Sequence, residues 1–205
     1  MRKYILIFLF LPLLAFSQKM VSKEVMAVKK FQEELNAEYL DPKTSPLRGD
    51  NLSNFKKHPF FPFDIKYRMT ARFVKTKKSK PFELPTSSGK TKSYKEYGKA
   101  TFELDGKSYT LTLYQSLDLI KQKKYKDHLF LPFRDETNGK ETYGGGKYMD
   151  LKIPKGNTII LDFNQSYQPY CAYNAYDYNC PIVPEENKLP VEIKAGVMYE
   201  DIYHH

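Results

Sequence analysis

The chain has 205 residues, with 33 Lys and Arg against 24 Asp and Glu, for a formal net charge of +9. With 41% hydrophobic and 28% charged residues, it is neither a disordered nor a collagen-like chain. The length suits one full-sized domain, and 17 Tyr, 14 Phe and 13 Pro without any Trp favour strands and turns over a helical bundle.

The N-terminus reads as a secretory leader. Arg2 and Lys3 form a basic start, residues 4–16 an apolar run broken by Pro12, and Ala15-Phe16-Ser17 a small-x-small cleavage pattern. Cleavage after Ser17 is expected, which lowers the net charge from +9 to +7. The apolar run is too short for a bilayer core, which needs ~20 residues. No Cys lies near the cleavage position to carry a lipid, and no later stretch is apolar enough to span a membrane. The mature protein is expected in the periplasm or outside the cell.

Val21, Val25, Val28, Phe31, Leu35 and Tyr39 recur at helical spacing, so 21–40 is expected as an amphipathic helix that Asp41-Pro42 stops. Residues 42–62 read as a long ordered loop pinned by Phe55, Phe60, Phe61 and Phe63. In 64–74, Ile65, Tyr67, Met69, Ala71 and Phe73 alternate with polar residues, which predicts a half-buried strand. Ala100, Phe102 and Leu104 alternate before Asp105-Gly106, and Tyr109, Leu111 and Leu113 after it. This predicts a hairpin pairing Phe102 with Tyr109 and Ala100 with Leu111. Further strands are expected at 128–133, 147–153, 158–163 and 189–194, with Ile159-Ile160-Leu161 central. The fold class is mainly β: one domain over 18–205, a curved antiparallel sheet or partly open barrel with an N-terminal helix.

Two lysine clusters stand out: Lys75, Lys77, Lys78 and Lys80, then Lys121, Lys123, Lys124 and Lys126. As solvated loops they need no partner. If they act, anionic envelope surfaces are the expected contact, and nucleic acid is not.

Polar residues that strands do not explain crowd the C-terminal half. Arg134 offers a planar fork for an anion, beside Asp135 and Thr137. Tyr143 leads into Gly144, Gly145 and Gly146, whose backbone can approach a ligand or simply make a bulge. Asp162 and Asn164 end a buried strand, where an Asp serves a site or caps a turn. Cys171 and Cys180 are the two cysteines, expected as a disulfide in an oxidising envelope. A metal site would need a third ligand, and His58, His128, His204 and His205 show no ligand spacing. His128 is the available base if a Cys were a nucleophile. Glu186 and Asn187 follow. No phosphate-loop, nucleophile-elbow or zinc-protease motif occurs, and no cofactor is implied.

These groups resemble, in this order, an uncharacterised bacterial family, domain of unknown function 1684. The matching stretches are Leu131-Pro132-Phe133-Arg134-Asp135-x-Thr137, Thr142-Tyr143-Gly144-Gly145-Gly146-x-Tyr148, Leu161-Asp162-Phe163-Asn164, Pro169-x-Cys171-Ala172-Tyr173, Cys180-Pro181 and Glu186-Asn187-x-Leu189. Weaker similarity runs back through Ser45-Pro46-Leu47. One departure is Val197 after Ala195-Gly196, where the family pattern carries Glu. The resemblance implies a shared β-rich fold and polar cluster, and no reaction.

The leading expectation is an exported binding domain with a polar, anion-favouring pocket for a small ligand. Arg134 would hold the anion, with Asp135, Thr137 and Tyr143 alongside it. Gly144–Gly146 would supply backbone donors, Asp162 and Asn164 would bond polar groups, and the Cys171–Cys180 loop with Glu186 and Asn187 would wall the site. One alternative is an envelope hydrolase using Asp135 or Asp162 with Arg134. The other is a purely structural polar network.

Overall fold

Alternating burial along a strand gives a sheet one apolar face. In the computed structural model, which describes residues 11–203 and the side chains of 23–203, this produces one curved antiparallel sheet forming a half-barrel. Its seven strands are β1 (Arg68–Lys75), β2 (Pro81–Pro85), β3 (Thr91–Leu104), β4 (Lys107–Ser116), β5 (His128–Phe133), β6 (Lys147–Lys152) and β7 (Thr158–Asp162). The order is β6-β5-β4-β3-β1-β7. The long β3 shares one edge between two partners: β2 covers Thr91–Lys95 and β1 covers Gly98–Thr101.

The hairpin has the expected register, with Phe102 opposite Tyr109 and Ala100 opposite Leu111. Asp105 and Gly106 turn it with φ of 50° and 74°. Between Glu96 and Gly98 the β3–β4 ladder slips by a bulge. A Cβ on Gly98 would lie 2.6 Å from the Phe73 ring and 2.8 Å from the Val74 carbonyl oxygen. A bare backbone is therefore required where β1 crosses the bulge.

Three expectations differ from the structure. Residues 65–67 form a 3-10 turn, because the Asp64 carboxylate accepts from the Lys66 N–H at 2.9 Å and caps it. β7 lies at the sheet's edge, and its Ile160 is 39% exposed. Residues 189–194 make no strand. Instead they strap the sheet, with Leu189 N–H bonded to the Arg134 carbonyl (2.8 Å) and the Val191 carbonyl accepting from Glu136 N–H (3.1 Å). Strand β2 was not anticipated, since it is flanked by prolines and buries only Leu84.

One face of the sheet packs Phe73, Phe102, Leu113, Leu131, Phe133 and Phe163 under Leu189 and Ile193 of that strap. A second cluster joins Tyr94, Tyr114, Phe130 and Tyr148 to Cys171, Cys180 and Val183. A third gathers Tyr39, Leu47, Phe55, Ala172 and Tyr173. Tyr39 belongs to α1 (Leu11–Leu40), where Val28 is also buried, Val25, Phe31 and Leu35 are half-buried, and Met26 is exposed. A short α2 (Gly49–Asn54) interrupts the expected loop, in which Phe55 and Phe61 are buried while Phe60 and Phe63 are half-buried. Arg2 and Lys3 of the expected leader, and the terminal His204 and His205, lie outside the described residues. Among the described residues no helix is long and apolar enough to cross a membrane.

His58 sits inside the third cluster, 4.3 Å from the Tyr39 ring and 4.9 Å from Phe55. Burial disfavours its charged form and pulls its pKa from 6.5 to about 3. Unfolding above pH 6.5 takes up no proton at this group. Below 6.5 the unfolded chain binds one that the folded chain refuses. The stability of the neutral ring is thus fully present above pH 6.5 and falls by roughly 1 kcal/mol per pH unit toward pH 3. A His58→Phe variant should flatten the melting temperature against pH between 6.5 and 4. A curve parallel to that of the parent would count against this assignment.

Candidate functional site

The polar residues singled out from the sequence are distributed over several structural groups. The first is built at the β5–β6 connection. Phe133 pairs with Lys147 across the ladder, so the chain leaving β5 brings Asp135 back over the start of β6. The Lys147 ammonium lies 3.0 Å from Asp135 Oδ2, and both side chains are fully buried. Asp135 Oδ1 accepts from Thr137 N–H (2.8 Å), Thr137 Oγ1 (2.6 Å) and Ile193 N–H (3.2 Å). Lys147 donates to the Ile193 carbonyl at 2.9 Å. Thr137 and Thr142 hydroxyls meet at 2.9 Å, and Asn138 donates to Thr142 and to the Tyr143 carbonyl. Burial lowers the Lys147 pKa and the adjacent Asp135 opposes that shift. Lys147 was not singled out in the sequence. The available signal was its place on the apolar face of an alternating strand, two residues before Met149.

The glycine run is shaped by close packing. Gly146 has a φ of 104°, and a Cβ there would lie 2.8 Å from the Phe133 carbonyl and 2.6 Å from Val183. Its N–H bonds to the Tyr143 carbonyl at 3.1 Å. Gly144 and Gly145 are exposed. Arg134 is half-buried with its stem against Gly146, and its guanidinium makes no ion pair among the described residues.

Asp162 and Asn164 form a separate clasp at the end of β7. Arg68 reaches Glu24 of α1 at 2.7 Å and Asp162 at 3.7 Å. Asn164 Nδ2 donates to Asp162 Oδ1 and to the Asp64 carbonyl, both at 3.0 Å. The clasp ties α1 and the segment entering β1 to the sheet edge.

Asn187 acts as a stitch. Strands β4 and β5 share one registered pair, Tyr114 with Phe130. Beyond it, Asn187 Oδ1 accepts from Thr112 N–H (2.7 Å), and its Nδ2 donates to the Thr112 (2.8 Å) and Pro132 (2.7 Å) carbonyls. A fully buried side-chain amide thus supplies the bonds of a missing strand residue.

The neighbouring Glu186 faces outward and accepts from the Tyr114 hydroxyl at 2.7 Å. Burial and this carboxylate hold the Tyr114 pKa well above its ordinary value. The pair lines an open cavity of about 420 Å³, bordered by the β1–β2 turn with Lys77, Lys78 and Lys80, and by Phe82 and Glu96. Of the site residues expected from the sequence, Glu186 alone lines this cavity. A second cavity of about 400 Å³ lies between α2 and the C-terminal segment, with Phe55, Tyr173, Tyr199 and Tyr203 among its walls.

Cys171 and Cys180 are both free and buried, so the expected disulfide is not formed in this structure. The Cys171 N–H donates to the Cys180 sulfur at 3.1 Å. Among the described residues no group of three or more His, Cys, Asp or Glu is gathered to hold a metal ion.

The architecture defines a class: a β half-barrel strapped by its C-terminal segment, with one cavity beside the β1–β2 turn and another between α2 and the C-terminal segment. The chain belongs to the family described as "Protein of unknown function (DUF1684)", whose model matches residues 53–198. It is similar to the solution NMR structure of an uncharacterised protein from Haloarcula marismortui, with a TM-score of 0.69 and 29% identity over 91% of this chain and 99% of that one. No curated protein matches it.

Two stability experiments test the geometry. Asn187→Ala leaves three buried backbone groups without partners and should cost about 2–4 kcal/mol in urea unfolding. Asp135→Asn and Lys147→Met should each cost about 3–5 kcal/mol, because each strands the other buried charge. The double variant Asp135→Asn/Lys147→Met should be less damaged than the two single costs summed; strict additivity would show that the pair is not coupled.

Proposed function

We propose that the chain is an exported binding domain whose ligand is anionic and rich in hydroxyl groups, an acidic saccharide of the envelope being the class that fits. The leader pattern of Arg2, Lys3 and the apolar run to Phe16 supports export. The observation that carries the binding reading is the cavity of about 420 Å³ between the lysine turn and the Tyr114–Glu186 pair. Lys77, Lys78 and Lys80 present ammonium groups at its rim to a carboxylate or phosphate. Glu96 and Glu186 offer acceptors for ligand hydroxyls. The Phe82 ring, 37% exposed and 5.8 Å from Tyr114, gives a flat apolar face to a sugar ring.

The groups around Asp135, Asp162 and Asn187 favour the structural reading for those residues. Their carboxylates and amide are already engaged with protein donors and acceptors, which supports the structural reading over a catalytic one. Arg134, which makes no ion pair among the described residues, remains available to an anion.

Titration calorimetry of the full chain with oligogalacturonate is the test. Binding should weaken by about tenfold or more between low and high salt, as expected for several screened charges. The double variant Lys77→Ala/Lys80→Ala should abolish it, Phe82→Ala should weaken it, and a neutral maltooligosaccharide should not bind. Retained affinity in the lysine variant would sink the site. Heat with neither oligogalacturonate nor inorganic phosphate would sink the anion-binding reading.

A further inference from the structure

We propose that Cys171 and Cys180 form a thiol–disulfide exchange site, in which Cys171 attacks an external low-molecular-weight disulfide and Cys180 resolves the product. The two thiols are nine residues apart and stand side by side, the Cys171 N–H directed at the Cys180 sulfur at 3.1 Å. Cys171 occupies a 3-10 turn, Tyr170–Ala172, that opens after Pro169. Cys180 is held elsewhere, on the end of β2. Its N–H donates to Ser87 Oγ (3.2 Å), its carbonyl accepts from Ser87 N–H (2.9 Å), and Ile182 N–H reaches the Pro85 carbonyl (2.8 Å). The segment between them reaches solvent, with Tyr176 82% exposed. The thiols are therefore anchored at both ends beneath a surface loop.

The surroundings distinguish the two sulfurs. Hydrogen bonding with the Cys180 side chain favours the Cys171 thiolate against the cost of burial. The Cys171 thiol is thereby brought below its ordinary value. Cys180 is pushed up, first because its proton is shared with Cys171 and then by burial. A thiol brought down beside one pushed up is the division of labour between an attacking and a resolving cysteine.

The step balances without a further reactant. The Cys171 thiolate forms a bond to one sulfur of the external disulfide, that S–S bond breaks, and the other sulfur leaves and takes up a proton. Cys180 then loses its proton and attacks the Cys171 sulfur, and the second external thiol departs with that proton. Two protein thiols and one external disulfide become one protein disulfide and two external thiols. The new bond ties the turn leading to Tyr173, a wall of the aromatic cavity, to the end of β2. The proposal rests on this loop and not on the lysine-lined cavity.

The reduced full chain, incubated with oxidised glutathione at pH 7, is read by intact mass spectrometry and peptide mapping. The parent should lose two hydrogens and keep no glutathione. Cys180→Ser should retain one glutathionyl group on Cys171. Cys171→Ser should react roughly tenfold or more slowly, since the Cys180 thiol is the one pushed up. Circular dichroism establishes that each variant is folded, and the parent protein alone still decides the question if one is not. Reaction of the parent only in denaturant overturns the proposal. Equal rates for the two variants overturn Cys171 as the attacking thiol. A parent that stops at the mixed disulfide overturns Cys180 as the resolving one.

Discussion

The buried ion pair between Lys147 and Asp135 is the constraint on which the strapped face of the half-barrel depends. A lysine at the inward position of β6 would be intolerable in an apolar core without a counter-charge. Asp135 supplies it at 3.0 Å, and its other oxygen collects three donors from Thr137 and Ile193. One carboxylate thus joins β6, the β5–β6 connection and the C-terminal strap. The strap needs such an anchor because it forms no strand of its own. Leu189 and Ile193 bury their side chains in the core only because polar bonds hold their backbone in place.

The same device recurs at weak points of the sheet. β4 and β5 diverge after one registered pair, and the Asn187 amide fills the gap as though it were a peptide group. At the opposite edge, Asn164 and the Glu24–Arg68–Asp162 chain fasten β7 to the helix and the entry loop. Polar residues at loop ends serve in this fold as replacements for missing ladder bonds. A run of such residues therefore has two physical meanings, and the direction of each side chain decides between them. Asn187 turns inward and stitches strands, while its neighbour Glu186 turns outward to Tyr114 and the lysine turn.

That distinction separates what could be read from the chain from what could not. The hairpin at Asp105-Gly106, its register and the mainly β class follow from two-residue periodicity and turn chemistry, both local properties. The family resemblance was legible in the C-terminal motifs, which lie within the matched residues 53–198. The edge position of β7 was misread, because Ile160 is an apolar side chain left in solvent. β2 was hidden because prolines bound it and most of its residues are exposed.

Composition and pattern by themselves determined a single β-rich domain, a leader-like start, and a concentration of polar residues near the C-terminus. Only the tertiary structure decided how those residues are divided: Asp135 to a buried lysine, Asp162 to an arginine and the helix, Asn187 to a gap between strands, and Glu186 to a cavity beside the lysine turn. The reason is that periodicity encodes which face of an element is buried. It carries no information about which distant group meets a polar side chain, and those partners are brought together only when the sheet curves and the strap closes over it.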